Sequence, residues 1–255
     1  MGPENPVLSG RRVRLEPLDH RHVDGLAAAS AGDRTLYQWS PVPQGRDEAA
    51  RYVDTALAWR DAGRAVTFAT VRVHDGVVIG STRFFDLERW AWPLGHARHG
   101  RDFPDACEIG YTWLTRSALR TAANTEAKLL MLTHAFETWE VLRVCLHTDV
   151  RNERSRAAIE RIGGRFEGIL RAHRMAADFI ARDSARFRLW WRSGRRLSSG
   201  WAGCWNERDL GVRDWRTDKI KARHVGIFPA HSDRPRPQDP YAEALVAQGE
   251  GSSRR

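Results

Sequence analysis

The chain has 255 residues, of which 42% are hydrophobic and 29% charged, a mixture typical of folded soluble proteins and long enough for one domain plus an appendage. Its formal net charge of +9 favours anionic partners, but the arginines are scattered rather than clustered, which disfavours specific nucleic-acid binding. The sequence has no secretion signal and no apolar stretch near the roughly 18 residues of a membrane span, so we expect a cytoplasmic protein without a membrane partner.

The cysteines argue against a disulfide or zinc framework. There are three of them, Cys107, Cys145 and Cys204, an odd number without the spacing of metal ligands. We therefore expect buried or idle thiols and no metal cofactor.

The first part of the chain alternates between helical and extended patterns. Residues 13–18 are typical of a strand, and Asp19 is a candidate N-cap for a following helix. Apolar residues between Ala49 and Trp59 recur at helical spacing until Gly63. Next come two predicted strands joined by a hairpin turn at His74-Asp75-Gly76; they span residues 66–73 and 77–85.

An irregular insertion occupies residues 88–104 and contains Trp90 and Trp92. One interpretation is a surface loop anchored by its tryptophans. The other is a loop that lies over a substrate pocket, because long loops in compact domains are often binding loops or lids.

The second part continues the alternation, which is the pattern of an α/β domain over residues 8–191. The predicted strands are residues 107–114, 143–148, 165–170 and 185–190. The predicted helices are residues 124–140 and 152–162, separated from the preceding strands by short loops. Apolar faces are predicted at Leu129, Leu132, Phe136 and Trp139 on the first helix, and at Leu142, Val144 and Leu146 beside the strand that follows it.

Residues 192–255 mix Arg, Ser, Gly and Pro without a sustained period, which predicts a largely disordered C-terminal extension. Trp201, Trp205 and Trp215 favour the alternative that part of this extension docks on the domain.

The stretch from Glu108 to Lys128 combines a strand, a short loop and the start of a helix. The first N–H groups of a helix lack internal partners, and the helix dipole favours anions there, so this arrangement suits a phosphate group. Arg116 and Arg120 add positive charge. By itself the pattern is only weakly specific.

The order of the motifs is more specific. Glu108-Ile-Gly-Tyr111 is followed by Arg120-Thr-Ala-Ala-Asn-Thr-Glu-Ala127, then by Asn152-Glu-Arg-Ser155 and Glu160-Arg-Ile-Gly163. Over residues 8–189 the chain resembles the ribosomal-protein N-terminal acetyltransferase-like (RimJ/RimL-type) branch of the GNAT superfamily. The resemblance implies an α/β GNAT fold, with a central mixed, mostly antiparallel sheet, splayed parallel strands and flanking helices.

The resemblance also implies a function and partners. The expected activity is transfer of an acetyl group from acetyl-CoA to a primary amine, either a protein N-terminus or a small molecule, by direct attack in a ternary complex. The acceptor remains open, and so does the choice between a monomer and a homodimer. The implied coenzyme-binding residues are Tyr111, Trp113, Leu114, Leu119, Arg120, Thr121, Ala122, Ala123, Asn124, Thr125, Asn152 and Ser155.

Catalytic roles are implied for two residues. Glu108 is the first candidate for the general base, through an ordered water; the alternative is a structural or substrate-binding carboxylate. Many relatives have a tyrosine acid where this chain has Ile159. Ser155 is then the candidate that protonates the thiolate or orients the coenzyme sulfur, with a capping role in the first helical turn as the alternative.

Other titratable residues have weaker claims. His147 on a strand could titrate near neutrality but is more often a packing or surface residue, and His134 within a helix has less claim still. Arg151, Arg154 and Arg156 form either a solvated face or, at one position, a contact to the 3′-phosphate.

Two departures from the family pattern bear on activity. The loop glycine is replaced by Ala122, which is tolerated only if the local backbone is helical, and the usual Gln is replaced by Leu119. Together with Ile159 they motivate an alternative function, a catalytically weakened GNAT-fold module that binds acyl-CoA.

Overall fold

The computed structural model describes residues 6–176 and 180–190. Within them, eight strands form one sheet in the order β1-β2-β3-β4-β5-β6-β8-β7. The strands are β1 (Leu8–Ser9), β2 (Val13–Pro17), β3 (Ala65–Arg72), β4 (Val78–Glu88), β5 (Ala106–Leu114), β6 (Arg143–Asp149), β7 (Arg165–Met175) and β8 (Ala181–Trp190). Only β5 and β6 pair in parallel, so the expected mixed, mostly antiparallel sheet is confirmed.

Four α-helices flank the sheet: α1 (Val23–Ser30), α2 (Gly45–Asp61), α3 (Ala123–Thr133) and α4 (Glu153–Arg161). The Asp19 side chain accepts a hydrogen bond from the Arg21 N–H at 2.9 Å and so caps the 3-10 turn that leads into α1. After α2, Gly63 has a φ of +66°, the left-handed conformation in which many helices end. Both predicted boundaries are confirmed.

Helices α2 and α3 lie on opposite faces of the sheet. On β4, the Ser81 hydroxyl accepts from the Tyr52 hydroxyl of α2 at 3.1 Å, whereas the Thr82 hydroxyl accepts from the Lys128 ammonium of α3 at 3.2 Å. Because adjacent residues of a strand point to opposite faces, these contacts define an α2 face and an α3 face of β4.

Strands β5 and β6 diverge soon after they meet. Their pairing ends at Glu108↔Cys145, whereas β5 continues to Leu114. We call this opening the splay. On its other edge β5 stays paired to β4, where Gly80 has a φ of +153° and an added Cβ would lie 2.0 Å from the Trp113 carbonyl oxygen. Only glycine permits this close approach. The expected splayed parallel strands are confirmed.

The predicted helix over residues 124–140 needs two corrections. The α-helix ends at Thr133, and a π-helical turn, His134–Thr138, follows it. Its buried face is also rotated from the predicted one, because Lys128 and Met131 are buried while Leu129 is only half-buried. A lysine can occupy this face because its ammonium donates to hydroxyl groups of the sheet.

Three further predictions need correction. Leu142 is 38% exposed, because it precedes β6 instead of continuing its inward-facing residues. The two final strands are longer than predicted, since their mutual pairing continues to Met175↔Ala181. The short strand β1 was not predicted at all.

No helix in the described part of the chain is long and apolar enough to cross a membrane. The predicted extension over residues 192–255 lies outside the described residues, as do Cys204 and the tryptophans of that segment. The domain boundary at residue 191 therefore stays a prediction.

Candidate active site

The loop between β5 and α3 is built from three local conformations. A 3-10 turn, Arg116–Ala118, is followed by extended Leu119, by Arg120 with a φ of +59°, and by helical Ala122 with a φ of −71°. Ala122 thus has the helical backbone under which alanine is tolerated. The residue with the left-handed φ that glycine would favour is Arg120.

The loop presents backbone donors next to the helix N-terminus. The Leu119 N–H donates to the Arg116 carbonyl at 3.2 Å, and the Ala123 N–H donates to the Thr121 hydroxyl at 3.2 Å. Within the described residues, four of the six predicted pyrophosphate donors have no protein acceptor: the N–H groups of Arg120, Thr121, Ala122 and Asn124. Unpaired N–H groups at a helix start suit an anion.

Tyr111 lies in a β-bulge beside the splay. Strands β4 and β5 pair at Arg83↔Gly110 and again at Ser81↔Trp113, so β5 has one more residue than β4 between these pairs. Tyr111 has a φ of +51°, which is uncommon for a residue other than glycine. The predicted pantetheine contacts, from Tyr111 to Leu114, therefore lie at and after this bulge.

Glu108 lies in a buried cluster of charged side chains. Its Oε2 is 2.8 Å from Nδ1 of His147 and 3.2 Å from a guanidinium nitrogen of Arg174. The Glu108 and His147 side chains are each only 7% exposed. Arg174 also contacts the Asp86 carboxylate at 3.0 Å, and the His173 ring centroid lies 4.8 Å from that of His147.

Three strands bring this cluster together. Glu108 is the last residue of β5 that pairs with β6, and His147 follows Cys145 on β6 by two positions, so both side chains lie where the strands part. Arg174 comes from β7, whose register with β8 shifts between Leu170 and Arg174. Sequence reasoning singled out Glu108, gave His147 too little weight and missed Arg174. The two-residue offset between the parallel strands was the available signal for His147.

Asn152 is the N-cap of α4. Its Oδ1 accepts the Ser155 N–H at 3.0 Å, so Asn152 rather than the Ser155 side chain caps the helix. This bond uses Oδ1 and leaves the Nδ2 amide as the donor for a coenzyme. Ile159 is buried, at 6% exposure, and supplies no acid at the position of the family tyrosine.

The arginines near Asn152 differ in their contacts. Arg151 pairs with the buried Asp149 carboxylate at 2.8 Å and lies 4.8 Å from the Trp39 ring centroid. Arg154 and Arg156 donate to backbone carbonyls at 3.4 and 3.2 Å. Arg151, Asn152 and Trp39 help to line a cleft of about 320 Å³.

Two buried cations flank the bulge, and sequence reasoning did not identify either of them. Arg83 is 2% exposed, and its guanidinium carbon lies 4.4 Å from the Tyr111 ring centroid. Lys128 is 6% exposed and donates to the hydroxyls of Thr112 at 2.6 Å and Thr82 at 3.2 Å. Burial lowers the pKa of Lys128 to about 7.

The insertion over residues 88–104 is organised by the buried carboxylate of Asp105. That carboxylate accepts hydrogen bonds from the Trp90 N–H and the Trp92 indole N–H, each at 2.8 Å, and contacts Arg98 at 3.3 Å. Arg101 donates to the Trp139 carbonyl at 3.3 Å. These contacts favour the interpretation of an anchored surface loop.

The remaining candidates lack the features of reactive groups. Cys107 and Cys145 are free buried thiols, and burial raises the pKa of both. Burial lowers the pKa of His134 to about 4, and its ring packs against Phe84 and Trp139. Among the described residues, no group of three or more His, Cys, Asp or Glu side chains is placed to hold a metal ion.

Comparison with known families accounts for this architecture. The profile of a family described as Acetyltransferase (GNAT) domain matches residues 12–165, more than half of the chain. The chain belongs to the GNAT acetyltransferase family. Enzymes of this family use acetyl-CoA, which agrees with the loop and the splay described above. The comparison with curated proteins returned no match.

Solved structures show the same fold as this GNAT acetyltransferase. A GCN5-related N-acetyltransferase from Brucella melitensis is 29% identical with a TM-score of 0.61, over 74% of this chain and 80% of that one. A protein from T. thermophilus assigned to the acetyltransferases is 28% identical with a TM-score of 0.59, over 74% and 92%. RimL, a ribosomal L7/L12 alpha-N-protein acetyltransferase solved with coenzyme A, is 17% identical with a TM-score of 0.58, over 72% and 98%. At that identity, the likeness to RimL concerns the fold alone.

Proposed function

We propose that this GNAT acetyltransferase transfers an acetyl group from acetyl-CoA to a primary amine by direct attack in a ternary complex. The observation that carries the proposal is the buried contact between Glu108 and His147 where β5 and β6 diverge. The acceptor class is a protein N-terminus, as in the RimJ/RimL-type branch, or a small-molecule amine.

The coenzyme is assigned to the splay and the loop that follows it. The pyrophosphate binds the free N–H groups of residues 120–124, and the pantetheine arm pairs with β5 at Tyr111, Trp113 and Leu114. Asn152 donates its Nδ2 amide to that arm. The unpaired donors of the loop support this assignment.

We assign proton transfer to Glu108 and His147 acting as a pair. The contact with Arg174 neutralises the Glu108 carboxylate, which makes the carboxylate alone a poor proton acceptor. A carboxylate facing Nδ1 holds the imidazole in the tautomer whose Nε2 accepts a proton, and histidine is suited to this near neutral pH.

The chemical step then balances as follows. The amine nitrogen attacks the thioester carbon, its proton passes to the pair, and the carbon–sulfur bond breaks with its electrons on sulfur. Ser155, in the first turn of α4, is the proposed group that protonates or orients the departing thiolate. The products are the acetylated amine and CoA.

The experiment measures CoA release with acetyl-CoA and a panel of amines, including peptides with free N-termini. We expect Glu108→Gln and His147→Gln each to lower kcat by about 10²- to 10⁴-fold, the usual contribution of general base catalysis. Acetyl-CoA affinity, measured by calorimetry, should change little. Glu167→Gln on β7, which also removes a carboxylate that pairs with arginines, is the matched control.

Equal losses in turnover and coenzyme affinity would reject the role of the pair in proton transfer. Absence of both acetyl-CoA binding and turnover in the unmodified protein would reject the whole proposal.

The second candidate function is an acyl-CoA-binding module with weakened catalysis. Leu119 and the buried Ile159 favour it, because each replaces a side chain that active relatives use. The helical φ of Ala122 removes the third motive for this alternative. Tight acetyl-CoA binding without turnover on any amine would support the module.

A further inference from the structure

Two buried cations contact adjacent residues of the bulge from opposite faces of the sheet. Arg83 lies on the α2 face against the Tyr111 ring, and Lys128 lies on the α3 face with its ammonium 2.6 Å from the Thr112 hydroxyl. Arg83 and Thr82 are neighbours on β4, so their side chains point to opposite faces. The two positive groups therefore enclose Tyr111 and Thr112.

Neither cation has a carboxylate partner within the described residues. Arg83 is surrounded by the rings of Tyr52, Trp59 and Tyr111, at 5.1, 5.4 and 4.4 Å, and its buried Nε has no hydrogen-bond acceptor. Lys128 has only hydroxyl partners. Buried charges are normally paired, because leaving water is costly for them.

The carboxylate of Glu108 does not supply the missing partner. Glu108 is opposite Phe85 in the β4–β5 register and so lies on the same face as Arg83. It is engaged instead by Arg174 and His147. The bulge thus carries a net positive field in a region from which water is largely excluded, where charges interact strongly.

We propose that Arg83 and Lys128 form a paired-cation site that stabilises negative charge on the acetyl thioester bound at the Tyr111–Thr112 bulge. This inference rests on the proposed function, because it places the thioester beside β5. Both residues act through the bulge, so they are positioning residues for the reaction.

The charge in question arises within the proposed step. When the amine attacks, the electron pair of the carbonyl bond moves onto oxygen; when the carbon–sulfur bond breaks, its pair leaves on sulfur. The cations neither give nor take a proton in this scheme. Fixed positive charge beside a developing oxyanion lowers the barrier without reorganisation.

The test is the carbonyl stretching frequency of acetyl-CoA labelled with ¹³C at the thioester carbonyl, measured by infrared difference spectroscopy on the bound complex. A polarised carbonyl absorbs at lower frequency than free acetyl-CoA in water. We expect this downshift in the unmodified protein, and a partial return towards the free value in Arg83→Met and Lys128→Met. Turnover with an active amine should fall by about 10- to 100-fold, the scale of a lost oxyanion-stabilising group.

Arg64→Met is the matched control, because Arg64 is exposed and its guanidinium lies over Trp59, at 5.3 Å from the ring centroid. It removes the same charge beside the same aromatic group but outside the core, and should leave the carbonyl frequency unchanged. Arg83→Lys and Lys128→Arg keep the charge and should retain most of the downshift.

Several outcomes would overturn the inference. One is a carbonyl frequency in the unmodified protein equal to that of free acetyl-CoA, which needs no variant to measure. Another is an equal shift in Arg64→Met and in the two buried variants. Either result leaves the proposed acetyl transfer intact as long as acetyl-CoA binds and turns over, whereas failure of the unmodified protein to bind acetyl-CoA removes both proposals.

Discussion

Replacing Lys128 by methionine should change how the stability of the protein depends on pH. The lysine is buried in α3 without a carboxylate partner among the described residues, and burial lowers its pKa from 10.5 to about 7. Methionine has similar length and no charge. The hydroxyls of Thr82 and Thr112 are 2.8 Å apart and can still bond to each other in the variant.

The sign follows from proton binding. Between pH 7 and pH 10.5 the unfolded chain keeps a proton on Lys128 that the folded protein has released, so the free energy of unfolding rises with pH in that window. Below pH 7 both states are protonated and the penalty for burying the charge is fully present. The slope approaches about 1.4 kcal/mol per pH unit, which amounts to about 2 kcal/mol between pH 7 and pH 9.

Urea unfolding at fixed ionic strength, at pH 7 and at pH 9, measures this difference. The stability of the unmodified protein should gain about 2 kcal/mol relative to Lys128→Met across that interval. Arg64→Met, which removes a cation that does not titrate there, should run parallel to the unmodified protein. Parallel profiles for Lys128→Met as well would mean that Lys128 stays charged in the folded state, and the reasoning would be wrong.

Two further predictions concern the coenzyme site. Asn152→Asp keeps the oxygen that caps α4 and should retain stability while weakening acetyl-CoA binding, whereas Asn152→Ala should also lose about 1 kcal/mol of stability; urea unfolding and calorimetry separate the two effects, and equal stability losses would contradict the capping role. Arg120→Gly should gain about 1 kcal/mol in urea unfolding because Arg120 has a left-handed φ. Arg120→Ala, which keeps Cβ, should show no such gain, and a gain in both would point to the charge instead of the backbone.

The elements of the fold were largely predictable because their periodicity reflects burial. The face of α2 from Ala49 to Trp59 is buried as its spacing indicates, and the hairpin turn ends with Gly76 at a φ of +70°. Failures occurred where tertiary contacts outweigh pattern. Lys128 looks like a surface residue of α3 until the two threonines of the sheet provide acceptors for it.

The site was predictable only in its coenzyme half. Loop and strand follow each other in the chain, so the order of Glu108, Arg120 and Asn152 carries information about the binding site. The charged cluster is assembled from separate strands, and no spacing in the sequence links Arg174 to Glu108 across 66 positions. A short sequence pattern does not record such contacts.

The same limit applies to the backbone at the site. Asp86, Tyr111 and Ala172 have φ values of +46°, +51° and +44°, and each lies where the register of its strand shifts. No glycine marks these positions, so propensity gives no warning of them. Such conformations cost of order 1–3 kcal/mol each and persist where surrounding contacts determine them. Here they surround Glu108 and the proposed thioester position: the bulge at Tyr111 directs its ring onto Arg83, and the shift at Ala172 precedes the arginine that reaches Glu108. The strained residues therefore lie where the proposed chemistry needs side chains from different strands to meet.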